Sequence, residues 1–190
     1  MDKLVNSWGD ILALFYNNTQ VSTTQNVYLN SQASNQVFFN NNLVWKRTFG
    51  GFPGRTWEHY TNLTDGGSGY GAESRQTDAV LVLNGGYNGS SAQCLLYTDF
   101  TPWNTLTINV NDGSCSYAQF RFGVSNGIVN LYGNNQVKAW ENNSIVSWSP
   151  IGSKSLDVSS VTGNKYIFIY LYSGSTVAAN WCHINSVVLS

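Results

Sequence analysis

Between positions 117 and 124 the chain reads Tyr117-Ala118-Gln119-Phe120-Arg121-Phe122-Gly123-Val124. Side chains along a β-strand point alternately to two faces. This order therefore places Ala118, Phe120, Phe122 and Val124 on one side, and Tyr117, Gln119 and Arg121 on the other. That is the pattern of a strand with one face in a core. A second stretch, Tyr166-Ile167-Phe168-Ile169-Tyr170-Leu171-Tyr172, is apolar on both sides. It reads either as a central strand covered on each face, or as one whose second face offers tyrosines to a partner.

Working outward from these two, further strands are expected at Ala79 to Leu83, Gln93 to Tyr97, Leu106 to Val110 and Ile128 to Tyr132. Others follow at Val137 to Trp140, Ile145 to Trp148, Leu156 to Val158 and Ile184 to Leu189. Turn signals separate them, among them Asn84-Gly85-Gly86, Asn111-Asp112-Gly113, Asn126-Gly127 and Gly133-Asn134-Asn135. Many short strands without helical periodicity place the chain in the all-β class, as an antiparallel β-sandwich or jelly roll.

Residues 1–48 read as a separate, small N-terminal β-hairpin module ahead of a sandwich at 49–190. Gly9 interrupts a helical reading of Leu4 to Phe15, so a strand at Ile11 to Tyr16 is preferred, turning at Asn17-Asn18-Thr19 and returning from Val21. Asn26 to Leu29 follows as a strand. Gln36 to Phe39 then meets Leu43 to Lys46 across Asn40-Asn41-Asn42, because asparagine tolerates the positive φ that such turns need.

The composition narrows the function. Of 190 residues only 10% are charged, the net charge is −1, and 14% are aromatic. Such a surface has no pull toward phosphate, so nucleic acid is excluded as a general partner. No run approaches the ~20 apolar residues that span a bilayer, which argues against membrane insertion. Three cysteines without metal-ligand spacing read as small buried residues of a chain made in a reducing cytoplasm. The start Met1-Asp2-Lys3-Leu4 lacks a secretory pattern, which implies release by lysis or within a particle.

Sugar recognition requires flat apolar rings together with amides and carboxylates that bond to hydroxyls. The Gly-rich loop between Gly50 and Gly71 concentrates both: Trp57, Glu58, Tyr60, Asn62 and Tyr70, with Trp103 in a second loop. These six are the candidate ligand-binding residues. A glycosidase would need two facing carboxylates, for which Glu58 with Glu73 or Asp78 is the pair to examine. A thiol enzyme would need Cys94 or Cys182 beside His59 or His183, without any supporting motif. No cofactor is expected. Oxygen ligands for a structural calcium ion are available from Asp65, Gly66 and Ser68, or from Asp112 and Ser114, although Asp-Gly pairs are ordinary turn formers.

Several stretches carry a family likeness. Ser155-Leu156-Asp157-Val158-Ser159-Ser160-Val161-Thr162-Gly163, Tyr166-Ile167-Phe168-Ile169 and Ile184-Asn185-Ser186-Val187-Val188-Leu189 resemble the end of a β-sandwich module. That module recurs in tail and other structural proteins of phages and prophages of Gram-positive bacteria, and it is similar in pattern to galactose-binding-like, carbohydrate-binding jelly rolls. Thr105 to Val110 and Phe120 to Ser125 fit its middle strands, and Gln36 to Trp45 resembles a short hairpin common in such virion proteins, with asparagine replacing the usual turn glycine. The resemblance implies a non-enzymatic bacteriophage virion protein, a tail, fibre or capsid-decoration subunit present in many copies. Residues 1–48 would attach to other virion proteins, and the sandwich would meet host cell-surface carbohydrate. A secreted bacterial carbohydrate-binding lectin and a cell-wall glycan hydrolase are the alternatives.

Overall fold

The computed structural model describes residues 51–61, 71–87, 89–144, 146–175 and 180–190, together with the backbone of six short strands between Phe15 and Lys46. Backbone contacts divide the chain into two compact units, residues 1–49 with Ser190, and Gly50–Leu189. Among the described residues there is no helix.

Among the described residues, the first unit contains three two-stranded antiparallel ladders. They are β1 (Phe15–Tyr16) with β2 (Thr19–Gln20), β3 (Val27–Leu29) with β4 (Gln32–Ser34), and β5 (Gln36–Phe39) with β6 (Asn42–Lys46). Tyr16 faces Thr19 and Phe39 faces Asn42, so Thr19 and Asn42, expected in turns, belong to strands. The rest of the expected strand at Ile11 to Tyr16, the return at Val21, and the turn residues Asn17, Asn18, Asn40 and Asn41 lie outside the described residues.

The second unit is a β-sandwich. Its strands are β7 (Glu58–Thr61), β8 (Glu73–Gln76), β9 (Leu81–Gly86), β10 (Ser90–Asp99) and β11 (Thr105–Ser114). They continue with β12 (Ala118–Ser125), β13 (Gln136–Ser144), β14 (Gly152–Asp157), β15 (Asn164–Ser173) and β16 (Asn180–Leu189). One five-stranded sheet has the order β13-β12-β15-β10-β7 and the other β14-β11-β16-β9-β8, antiparallel throughout. The chain crosses from sheet to sheet at almost every connection, which is the jelly-roll arrangement the turn spacing predicts.

The alternation in β12 decides which face is buried. Phe120, Phe122 and Val124 have no exposed surface, and neither do Ile167, Ile169 and Leu171 of β15 or Cys94 of β10. Opposite them the second sheet contributes Leu81, Leu83, Leu106, Ile108, Cys182 and Ile184, equally inaccessible. Each such side chain taken from water stabilises the fold by roughly 1.5–3 kcal/mol. Trp140 on the edge strand β13 stacks on Phe122, with centroids 5.6 Å apart, and closes that side of the core. Across the same edge, Lys138 bonds to Asp157 at 3.4 Å. The Lys154 ammonium donates to the carbonyls of Pro150, Ile151 and Gly152 and lies 5.8 Å from the Trp140 ring centroid.

Three segments differ from the sequence expectation. Ile128 to Tyr132 is not a strand but part of the β12–β13 loop, where Val129 is buried against the sheet. Of Ile145 to Trp148, the described part makes only an isolated bridge, Trp148 to Cys115. Conversely β7 and β8, read as loop, are edge strands held by β10 and β9.

Candidate functional site

Cross-strand pairing arranges side chains in rows over the sheet β13-β12-β15-β10-β7, on the face turned away from the core. One row runs Tyr60, Gln93, Tyr170, Arg121, Glu141. Two residues further along β10 the row is Glu58, Leu95, Phe168, Gly123, Ala139. The next row sets Tyr97 beside Tyr166. Both readings of Tyr166 to Tyr172 therefore hold in part. The strand is central, its Phe168 and Tyr170 are fully covered, and its Tyr166 and Tyr172 remain half-buried at the two ends.

The cover over the middle of this face is the loop 126–135. Val129 packs with Leu95, Phe168 and Tyr170, and the half-buried Tyr60, Tyr166 and Tyr172 lie around them. The Val129 amide donates to Gln93 Oε1 at 3.2 Å. Arg121, 4% exposed, donates through Nη2 to the carbonyls of Asn130 at 2.8 Å and Leu131 at 3.0 Å. Its Nη1 reaches Gln136 Oε1 at 3.5 Å, and the guanidinium lies 4.8 Å from the Tyr170 ring centroid. A buried cation of this kind is tolerated because its Nη2 protons are received by loop carbonyls and its face by an aromatic ring, although its Nε has no hydrogen-bond partner among the described residues.

Beside the loop an aromatic surface stays open. The rings of Tyr97 and Tyr166 are 4.9 Å apart and tilted by 54°, with Tyr97 53% exposed. Tyr60 donates its hydroxyl to Glu58 Oε2 at 2.7 Å. That bond to a carboxylate, followed by partial burial, raises the Tyr60 phenol above its ordinary value. It also fixes the ring beside the exposed Glu58 carboxylate.

The six sequence candidates separate. Glu58 and Tyr60 share this face. Trp57 is 3% exposed, with its indole N–H donating to the Gly51 carbonyl at 2.8 Å, and Trp103 is 2% exposed. Neither presents a ring to a partner, so the expectation that they stack on a ligand is corrected: both are packing residues. Asn62 and Tyr70 lie outside the described residues. Tyr97 and Tyr166 were not among the candidates, because their adjacency arises from the register of β10 against β15.

A second feature lies on the other side of β7. Trp57, His59, Ser74, Arg75 and Asp78 line an open cleft of about 410 Å³ at the sandwich edge. Ser74 Oγ donates to the Gln93 carbonyl at 2.8 Å, and His59 Nδ1 lies 2.8 Å from Ser74 Oγ. Serine has one proton, so His59 must donate through Nδ1, and it cannot act as the base for Ser74. Glu58 points to the opposite face of β7 from this cleft. Glu73 is tied to Arg75 at 2.5 Å on the face of β8 turned away from Ser74. The two carboxylate pairings weighed for hydrolysis are thus not assembled across one cleft.

Of the thiol pairings, the structure does set Cys94 opposite His59 across β10 and β7, but without a reactive thiol. Cys94 and Cys182 are fully buried, and burial pushes both thiols far up, away from a reactive thiolate. Cys115 is pushed up to about 12 for the same reason. The His183 ring lies 4.9 Å from that of Trp181, tilted by 52°, on the side of β16 opposite Cys182. Of the proposed calcium ligands, Asp112 accepts from the Gly113 amide at 2.9 Å within β11, while Asp65, Gly66 and Ser68 lie outside the described residues. Among the described residues no three His, Cys, Asp or Glu side chains converge on a common point.

No protein-family model and no curated protein matches the chain. Among solved structures, the family 11 carbohydrate-binding module from Clostridium thermocellum, in complex with a beta-1,3-1,4-mixed-linked tetrasaccharide, is similar to it. That likeness has a TM-score of 0.43 and 14% sequence identity, and covers 75% of this chain and 93% of that one.

Proposed function

We propose that the sandwich is a non-catalytic module that binds a neutral, hydroxyl-rich carbohydrate on the open part of the β13-β12-β15-β10-β7 sheet. The observation that carries this reading is the Tyr97–Tyr166 pair, one row from the exposed Glu58 carboxylate. Tilted aromatic rings take the C–H face of a pyranose, and the Glu58 carboxylate accepts its hydroxyl protons. Low surface charge suits such a partner, since binding through neutral groups depends little on salt.

The finer part of the proposal puts the chain on a phage particle, among other virion proteins, where many copies would raise a weak single-site affinity through effective concentration. Its support is the sequence resemblance carried by Gln36 to Trp45 and by the C-terminal runs. Glycan-array binding by the purified chain, lost in a Tyr97→Ala/Tyr166→Ala double variant, tests the binding activity; an array without signal for the parent chain rejects it. Mass spectrometry of gradient-banded particles tests the location. Detection only in culture supernatant would favour the secreted lectin.

A further inference from the structure

The loop 126–135 does more to the aromatic face than cover it. Val129 occupies the centre of the face, over Leu95, Phe168 and Tyr170, so a ligand cannot lie across the middle of the sheet. What stays open is a track along one side, from Tyr60 and Glu58 on β7 to Tyr97 and Tyr166. Tyr97 is four residues beyond the Tyr60 row on β10, so the track is about 13 Å long. Its inner flank is the loop itself, because Tyr60 and Tyr166 both pack against the cluster that holds Val129.

That flank is fixed from below. Arg121 reaches two consecutive loop carbonyls, Asn130 and Leu131, from within the sheet, and Gln93 takes the Val129 amide. At the far side of the loop Gly133 has φ +77°, and a Cβ there would come within 3.4 Å of Arg121 Nη1. Lifting the loop would strip a buried guanidinium of its acceptors, which is costly. The flank therefore does not yield to a ligand as a free loop would.

We propose that Arg121 is a positioning residue that clamps the loop 126–135 as a rigid wall, and that this wall selects unbranched glycan chains over chains with side sugars directed toward it. The inference rests on the reading of the Tyr97–Tyr166 face as the carbohydrate site. A linear chain fits the track with one edge against the wall and the other in solvent. A substituent on the inner edge meets Val129 and the clamped backbone, and specificity arises from that clash rather than from an added attraction.

Calorimetric titration of the full chain separates the outcomes. The probes are cellohexaose and mannohexaose, against xylosylated and galactosylated oligosaccharides on the same backbones. The parent chain should prefer the unbranched member of a pair by at least about tenfold, and Arg121→Gln should reduce that preference below about threefold while still binding the unbranched chain. Equal binding of both members by the parent, or an unchanged preference in Arg121→Gln, overturns the proposal. Amide exchange at Val129 and at Gly133, whose N–H donates to the Asn130 carbonyl that Arg121 also holds, reads the clamp without any sugar: it should be slow in the parent and fast in the variant, and equal rates overturn the clamp. If the parent binds none of the four probes, the glycan reading fails, and the selection with it, while exchange still decides whether Arg121 holds the loop. Should Arg121→Gln not fold, Val129→Ala removes the obstruction and must lower the preference in the same way.

Discussion

The Tyr60 hydroxyl gives its proton to Glu58 Oε2 across 2.7 Å, two positions apart on one edge strand. Because that proton is shared with an anion, the phenol ionises above its ordinary value near 10. Ultraviolet titration of the folded chain should show one tyrosine ionising late. In Glu58→Gln that tyrosine should return toward the ordinary range. The sign also fixes a stability effect: a raised pKa contributes stability that is present below the unfolded value and lost as pH climbs through the folded one.

Removing either ring of the Tyr97–Tyr166 pair should weaken carbohydrate binding by about 1–2 kcal/mol, roughly 5- to 30-fold in Kd. Tyr97 is more than half exposed, so Tyr97→Ala should leave Tm nearly unchanged. Isothermal titration alongside thermal unfolding checks both halves. A large fall in Tm with unaltered Kd would assign the residue to packing.

Trp57→Phe should do the reverse. It deletes the indole N–H that satisfies the buried Gly51 carbonyl and costs about 1–2 kcal/mol of stability. Sugar affinity should not change, since the ring is inaccessible. Denaturant midpoints and Kd measured on the same preparation would reveal any exception.

Burial holds His59 below its usual 6.5. On acidification the unfolded chain takes up a proton that the folded chain resists, so stability present above the unfolded value is lost as pH falls through the folded one. Tm should decline as the pH falls below 6.5. In His59→Asn, whose amide can still donate to Ser74, this part of the decline should vanish. Arg75 and Asp78 line the same cleft and should be left in place for the comparison.

A Cβ on Gly123 of β12 would sit 2.0 Å from the Lys138 carbonyl oxygen of β13. Backbone cannot swing aside as a flexible side chain does. Gly123→Ala should therefore destabilise by roughly 1–3 kcal/mol, measured by chemical denaturation.

The sequence read most clearly where one face of a strand was buried and the other was not. Ala118, Phe120, Phe122 and Val124 announced the core face of β12, and the Asn-Gly turns marked out most of its neighbours. β7 and β8 escaped notice because Glu-His-Tyr-Thr and Glu-Ser-Arg-Gln carry no apolar alternation; as edge strands they take their form from β10 and β9. Ile128 to Tyr132 misled for the opposite reason, since its apolar residues serve a loop that plugs the sheet. The candidate site was half legible. Glu58 and Tyr60 sit in a run rich in aromatic and polar groups, whereas Tyr97 and Tyr166 are 69 positions apart and become neighbours only through pairing register. Trp57 and Trp103 looked like ligand platforms because sequence does not say which ring is buried.

Lys154 supplies its own positive charge at a corner where the oxygens of Pro150, Ile151 and Gly152 turn inward. Oxygen-lined corners elsewhere often recruit a dissolved metal, whose occupancy then follows its concentration. Here the cation is tethered, so this corner keeps its shape through dialysis, desalting or a chelator wash. Lys154→Met would surrender that independence from the medium.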